Sequence, residues 1–111
     1  MKKKETIKSP IIFDDVIKNG FKKKSKYFII CTKENLNKTI FGIAVGKKIG
    51  NAVTRNKLKR QVRNIIDNNK LLFKKGRFYI IICRKECLDI TFEKMNNEFK
   101  KLLLKEKNDE K

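Results

Sequence analysis

The chain contains no histidine, which removes Ser-His and Cys-His nucleophilic machinery together with the commonest general base. Hydrolysis by protein side chains alone would have to rest on carboxylates or lysine. Carboxylates are scarce too: 12 Asp and Glu stand against 30 Lys and Arg. Asp14 and Asp15 fall on different sides of a helix, and Glu86, Asp89 and Glu93 have ordinary cap and surface roles, so no pair is expected to support metal-dependent cleavage. These residues argue against a self-sufficient enzyme. Cysteine is limited to Cys31, Cys83 and Cys87. An odd count in or beside apolar runs suggests small buried hydrophobes in a reducing compartment, and without histidine a four-ligand zinc shell would need carboxylates. Met1 to Lys4 are basic, but the following apolar stretch is interrupted by Lys8, Pro10, Asp14 and Asp15. Neither a signal-peptide core nor a membrane span is expected, and the expectation is a soluble, cytoplasmic protein.

What is abundant is positive charge. The formal net charge of +18 over 111 residues would destabilise a compact chain by self-repulsion unless a polyanion relieved it, which makes nucleic acid the leading partner. The length suits one domain with one modest core. No internal repeat or Pro-rich linker divides it. The reading is a basic N-terminal tail over 1–8, a single RNA-binding domain over 9–105 and a charged tail over 106–111. Lysine outnumbers arginine fivefold, a bias that coding preference alone can produce, so the arginines are the informative cations. Three of the five, Arg55, Arg60 and Arg63, fall within "GKKIGNAVTRNKLKRQVRN", residues 46–64.

Ser9-Pro10, followed by Ile12, Phe13, Val16 and Ile17 and closed by Asn19-Gly20, predicts a short helix with Ser9 as N-cap, Pro10 at its first position and Gly20 past its end. Lys22 to Lys26 read as a basic loop. Tyr27 to Thr32 and Thr39 to Val45 are rich in β-branched and aromatic residues and flank the polar turn "KENLNK", a pattern that predicts an antiparallel hairpin. Phe78 to Cys83 is nearly all apolar and predicts a central strand covered on both faces. Phe92, Met95, Phe99, Leu102 and Leu103 recur at helical spacing. The order helix, strand, strand, helix, strand, helix gives an α/β (α+β) two-layer sandwich.

Asn51 can cap a helix from about Val53 to Asn68, on which Leu58, Val62, Ile65 and Ile66 gather into one apolar arc. With Leu58 at zero, Arg55, Lys59 and Arg63 fall near about 60°, 100° and 140°, while Asn56, Lys57, Arg60 and Asn64 fill the far side. Solvated helix faces usually alternate charge to gain i, i+4 pairs, but no acid occurs between Lys47 and Arg63, and the like-charge neighbours sum to roughly 1–2 kcal/mol of repulsion. The preceding "GIAVGKK", residues 42–48, is one residue short of a P-loop and has Lys48 where Ser or Thr should hold Mg²⁺, which excludes a nucleotide triphosphatase.

At "VGKKIGNAVTRNKLKRQVR" the sequence resembles the protein component of bacterial ribonuclease P, whose signature K-K-x-G-N-A-V-x-R-N-x-x-K-R-x-x-R lies on a helix after a strand. "FDDVIKNG", "YFII", "FYIIICRK" and "TFEKMNNEFKKLL" follow the family's order over most of the chain. The resemblance implies a non-catalytic protein subunit of an RNA-based endonuclease that removes the 5′ leader from precursor tRNA, with Mg²⁺ held mainly by the catalytic RNA and one protein per RNA. It also implies a sheet with a left-handed crossover, against the usual preference. Carried over by position, Lys47, Lys48, Asn51, Arg55, Asn56, Lys57, Lys59, Arg60 and Arg63 would bind RNA. Of these, Arg55, Lys59 and Arg63 would face a leader cleft, and Asn56, Lys57 and Arg60 the catalytic RNA. Phe13, Tyr27, Ile29 and Cys31 would line the cleft; Ile17 and Cys31 stand where related proteins often carry aromatic residues, and Lys57 where Arg is common. No protein metal site is implied. A structural RNA-binding protein of ribosomal type is the alternative that composition alone does not separate. Either way, polyanions should raise the melting temperature by binding the folded state; a melting point indifferent to phosphate or sulfate would argue against an anion site on the helix.

Overall fold

The computed structural model describes residues 5–35 and 38–105; Leu36 and Asn37 of the expected turn and the tail residues 1–4 and 106–111 lie outside the described residues. Ser9 starts the first helix, its Oγ accepting a hydrogen bond from Ile12 N at 3.3 Å, and α1 runs over Pro10–Asn19. Gly20 follows at φ −83°, so it is not the left-handed terminator that the sequence suggests. Its constraint is space: a Cβ there would lie 2.5 Å from Thr32 O and 2.6 Å from Val16 O.

The strands are β1 (Phe21–Lys24), β2 (Phe28–Glu34), β3 (Ile40–Val45) and β4 (Arg77–Cys83), arranged in the order β1-β2-β4-β3. Two expectations are corrected here. Lys22 to Lys24 form an edge strand antiparallel to β2 rather than a loop; "FKKK" gives no alternating signal because backbone bonds to β2 hold it, and its lysines suit an exposed edge. Residues 27–32 and 39–45 do not form a hairpin either. β4 lies between them, antiparallel to β2 and parallel to β3. Its apolar run buries on both faces, and occupying the centre satisfies its backbone on both sides. The parallel β3–β4 pair is joined through α2 (Ala52–Asn68), and α3 (Phe92–Leu104) follows, its N-cap Thr91 Oγ1 accepting from Lys94 N at 3.2 Å.

Strand alternation divides the core. Phe28, Ile30, Phe41, Tyr79 and Ile81 face α2 and α3, meeting Leu58, Val62, Ile65 and Ile66 of α2 and Met95, Phe99, Leu102 and Leu103 of α3. The buried arc of α2 is the one that helical spacing predicts. Across this layer Asn69 donates from Nδ2 to Ile65 O at 2.8 Å and to Asn96 Oδ1 at 3.1 Å, tying the end of α2 to α3. On the other face α1 seats Val16 on Cys31 and Ile80, with Phe13 and Ile17 beside them. Thr6 bridges to Phe41 on the outer edge of β3 and Ile7 joins the α1-side cluster, so residues 6 and 7 pack onto the sheet.

Gly42 fixes where α1 sits. A Cβ at that position would be 2.7 Å from Phe13 Cε2. Gly42→Ala should therefore displace the Phe13 ring and lower stability by about 1–3 kcal/mol, the usual cost of overpacking; a denaturation midpoint equal to that of the parent chain would contradict this packing.

Candidate nucleic-acid interface

α2 begins where β3 ends. Val45 leads through Gly46, a single 3-10 turn at Lys47–Ile49, and Gly50 to the N-cap Asn51, whose Oδ1 accepts from Thr54 N at 2.9 Å. Arg55 is half-buried and its Nε donates to Gly50 O at 3.1 Å, which holds the approach loop against the first turn. Lys59 is half-buried, while Lys47, Lys48, Asn56, Lys57, Arg60 and Arg63 are exposed. Among the described residues none of the seven cations between Lys47 and Arg63 forms an ion pair with a carboxylate. The first turn of α2 carries no acid, so the positive end of the helix dipole adds to Lys47, Lys48 and Arg55.

A groove opens on the other face of the sheet, beside α1. The helix crosses the strands: Phe13 lies over Gly42 of β3, Asp15 pairs with Lys33 of β2, and Gly20 turns the chain into β1. Cys31, Ile80 and Gly42 are buried in the row beneath it. The next row, Lys24, Ile29, Ile82 and Ala44, is in register across all four strands. Its three apolar members are half-buried, forming a floor alongside the helix. Beyond this floor three chain turns supply Lys26, Lys47, Lys48, Arg84 and Lys85, and Arg84 Nη1 donates to Ser25 O at 3.3 Å, joining two of those turns. The groove thus has an apolar floor, α1 as one wall and cations along the opposite rim.

Two sets of titratable groups define the local chemistry. The Lys33 ammonium, and after it the Asn19 amide, hold the Asp15 carboxyl below its ordinary range. The hydrogen bond between Cys83 and Cys87, with burial, pushes the Cys83 thiol up and keeps it neutral, and Cys87 Sγ donates to Tyr27 O at 3.1 Å. These thiols act as packing groups. Among the described residues no three Cys, Asp or Glu side chains converge as a metal site.

The family model for ribonuclease P matches residues 1–107. The chain belongs to the ribonuclease P protein family. It is 38% identical over 107 residues to the ribonuclease P protein component of Mesoplasma florum, covering 95% of this chain and 97% of that relative. Against the protein component of a Bacillus cereus strain it is 39% identical over 97 residues, 86% of this chain and 84% of the relative. The fold agrees with solved family members. A Staphylococcus aureus RNase P protein mutant with defective mRNA degradation activity superposes with a TM-score of 0.83 at 31% identity, covering 91% of this chain and 86% of that one. The Thermotoga maritima RNase P protein gives 0.80 at 31% identity, covering 89% and 94%.

Within this family fold the residues singled out from sequence separate into two layers. Phe13, Ile29 and Cys31 come together on the α1 side. Tyr27 does not join them; it precedes β2, packs against the cluster under α2 and α3, and accepts from Arg84 N at 2.9 Å. Strand alternation counted from Cys31 misplaces it because the regular strand starts only at Phe28. Arg55, Lys59 and Arg63 belong to the layer opposite α1 and approach the groove only around the β3 edge. Arg55, in the first turn, is at the groove's end, and Arg63 is about 12 Å further along the axis. Sequence reasoning placed Lys24 only in a basic loop and did not connect Gly42, Ala44 and Ile82 with this face. The period-two spacing of Ile80 and Ile82 was the available signal, but the pairing of β3 with β4 was needed to use it.

The Asp15–Lys33 pair anchors α1 over the groove. Because the folded carboxyl titrates below the ordinary value of 3.8, its contribution is present above that value and fades as pH falls through the lowered one. Asp15→Asn should therefore lower the melting temperature at neutral pH and converge with the parent chain in acid; a constant difference down to low pH would rule out the carboxylate as the anchor.

Proposed function

We propose that this chain is the protein subunit of ribonuclease P and takes part in removing the 5′ leader from precursor tRNA. Its exposed α2 face, Asn56, Lys57 and Arg60 together with Lys47 and Lys48, lies on the catalytic RNA, one protein to one RNA. The groove beside α1 takes the single-stranded leader, with Phe13, Ile29 and Cys31 near its floor and Arg55 at its entrance. What supports the reading is that, among the described residues, the seven cations from Lys47 to Arg63 form no ion pair with a carboxylate, while Lys47, Lys48 and Arg55 stand at the groove's end. Lys59 and Arg63 continue the cationic edge along α2, toward RNA lying against that helix.

No protein residue carries the chemistry in this proposal. Mg²⁺ supports cleavage and is held mainly by RNA groups, as the resemblance to the family implies. The protein's part is positioning and charge: cations opposite phosphates weaken the repulsion between two polyanions that must pack together. The half-buried Arg55 is held by Gly50 O, so it meets RNA with little side-chain freedom left to lose.

The test adds the protein to the catalytic RNA at low Mg²⁺. Cleavage at the mature 5′ end is expected only with both components; an unchanged RNA-only rate would favour a structural RNA-binding protein, and cleavage by protein alone would reveal an autonomous nuclease. Arg55→Ala should weaken binding of precursor more than of mature tRNA, with Arg63→Ala affecting the two more evenly. Equal losses for Arg55→Ala would remove it from the leader path.

A further inference from the structure

The groove beside α1 does not end at the sheet edge. Its floor runs from Ala44 through Ile82 and Ile29 to Lys24, three strand spacings or about 14 Å. Lys24 also lines a second open groove of about 450 Å³, shared by Ser25, by Glu98 and Lys101 of α3 and by Lys105 just past its end. Lys24, at the β1 edge, is thus common to both surfaces. Lys23 Nζ donates to Leu103 O at 2.8 Å, docking the end of α3 against β1 and holding the lysines of the two elements at a set separation. Glu98 is the one acid lining this groove; its pair with Lys101 is 3.6 Å long, with the lysine 76% exposed, a geometry that contributes little. Among the described residues lining the groove, Lys24 and Lys105 have no such acidic neighbour, and Leu104, 55% exposed, offers an apolar surface beside them.

Resting on the leader reading above, we propose that this second groove is an extension of the leader path, holding phosphates of leader nucleotides distant from the cleavage site. The direction follows from the fold. α2 begins at the β3 side, so if that helix lies on the catalytic RNA the cleavage site is on that side, and an RNA strand leaving it crosses the floor toward β1. Cations spread along an open channel suit an extended polyanion rather than one small anion, which would be reached by only one or two of them at a time. Apolar surface beside cations also suits nucleotides whose bases and phosphates face opposite ways.

The experiment compares holoenzyme made with the parent protein and with a Lys101→Ala, Lys105→Ala double variant. The substrates are precursors with leaders of roughly four and roughly ten nucleotides, the shorter ending within the first groove. The variant should bind the long-leader precursor about fivefold more weakly, with a log-log salt slope shallower by about 0.7 per lost contact, and bind the short-leader precursor as the parent does. A Lys101→Arg, Lys105→Arg variant should restore long-leader affinity. Equal losses on both leaders, or no loss on either, would overturn the extension while leaving the first groove intact. A parent holoenzyme that binds precursor no more tightly than mature tRNA would overturn the leader reading itself and the extension with it.

Discussion

The central position of β4 governs the rest of the molecule. One strand pairs antiparallel with β2 and parallel with β3, and a parallel neighbour can be reached only by returning the chain along the sheet. α2 makes that return. Its first turn must then stand at the end where β3 and β4 finish, and its C-terminal end where they begin. The cation-rich approach, Lys47 to Arg55, is thereby delivered to the mouth of the groove on the opposite face. Were β3 paired with β2 in a hairpin, the same residues would lie beside a different row of side chains.

α2 meets two demands at once, and their magnitudes explain why it folds. Leu58, Val62, Ile65 and Ile66 are at most 2% exposed, and each such side chain contributes about 1.5–3 kcal/mol on burial. Like-charge repulsion along the polar faces totals roughly 1–2 kcal/mol. Burial therefore wins with a wide margin. The helix thus tolerates its like charges and retains a field that RNA can relieve. Among the described acids, Glu5, Asp14, Asp15 and Glu98 are engaged instead by Lys70, Lys18, Lys33 and Lys101 respectively.

On the α1 side the groove has few means of stacking bases. Its floor residues are aliphatic, Cys31 is buried, and Phe13 is packed over Gly42. An aromatic platform contributes about 1–3 kcal/mol per stacked base; with that contribution reduced, the proposed leader contacts depend more on Lys24 at the end of the floor and on the cationic rim that includes Lys26, Arg84 and Lys85. Such contacts follow the backbone rather than the base sequence. The bond from Arg84 to Ser25 O matters in this context because it holds two of the rim's turns together.

Much of this was legible in the sequence because the signals are local. Helical spacing identified the buried face of α2, Ser9 and Asn51 cap their helices as the sequence suggests, and the unbroken apolar run "FYIIIC" identified a central strand. The signature from Lys47 to Arg63 identified the family. Pairing was not legible. β1 has no apolar alternation of its own, and the exchange of a hairpin for a β3–β4 parallel pair depends on which partner best covers an apolar strand, a comparison between residues far apart in sequence. Tyr27 shows the same limit, since alternation holds only within the strand and the strand begins one residue later. Sequence by itself determined which faces are apolar and which are charged, because periodicity is a property of consecutive residues. Only the tertiary structure decided that Lys24, Ile29, Ile82 and Ala44 form one row, because that row exists only when four separate segments hydrogen-bond in register.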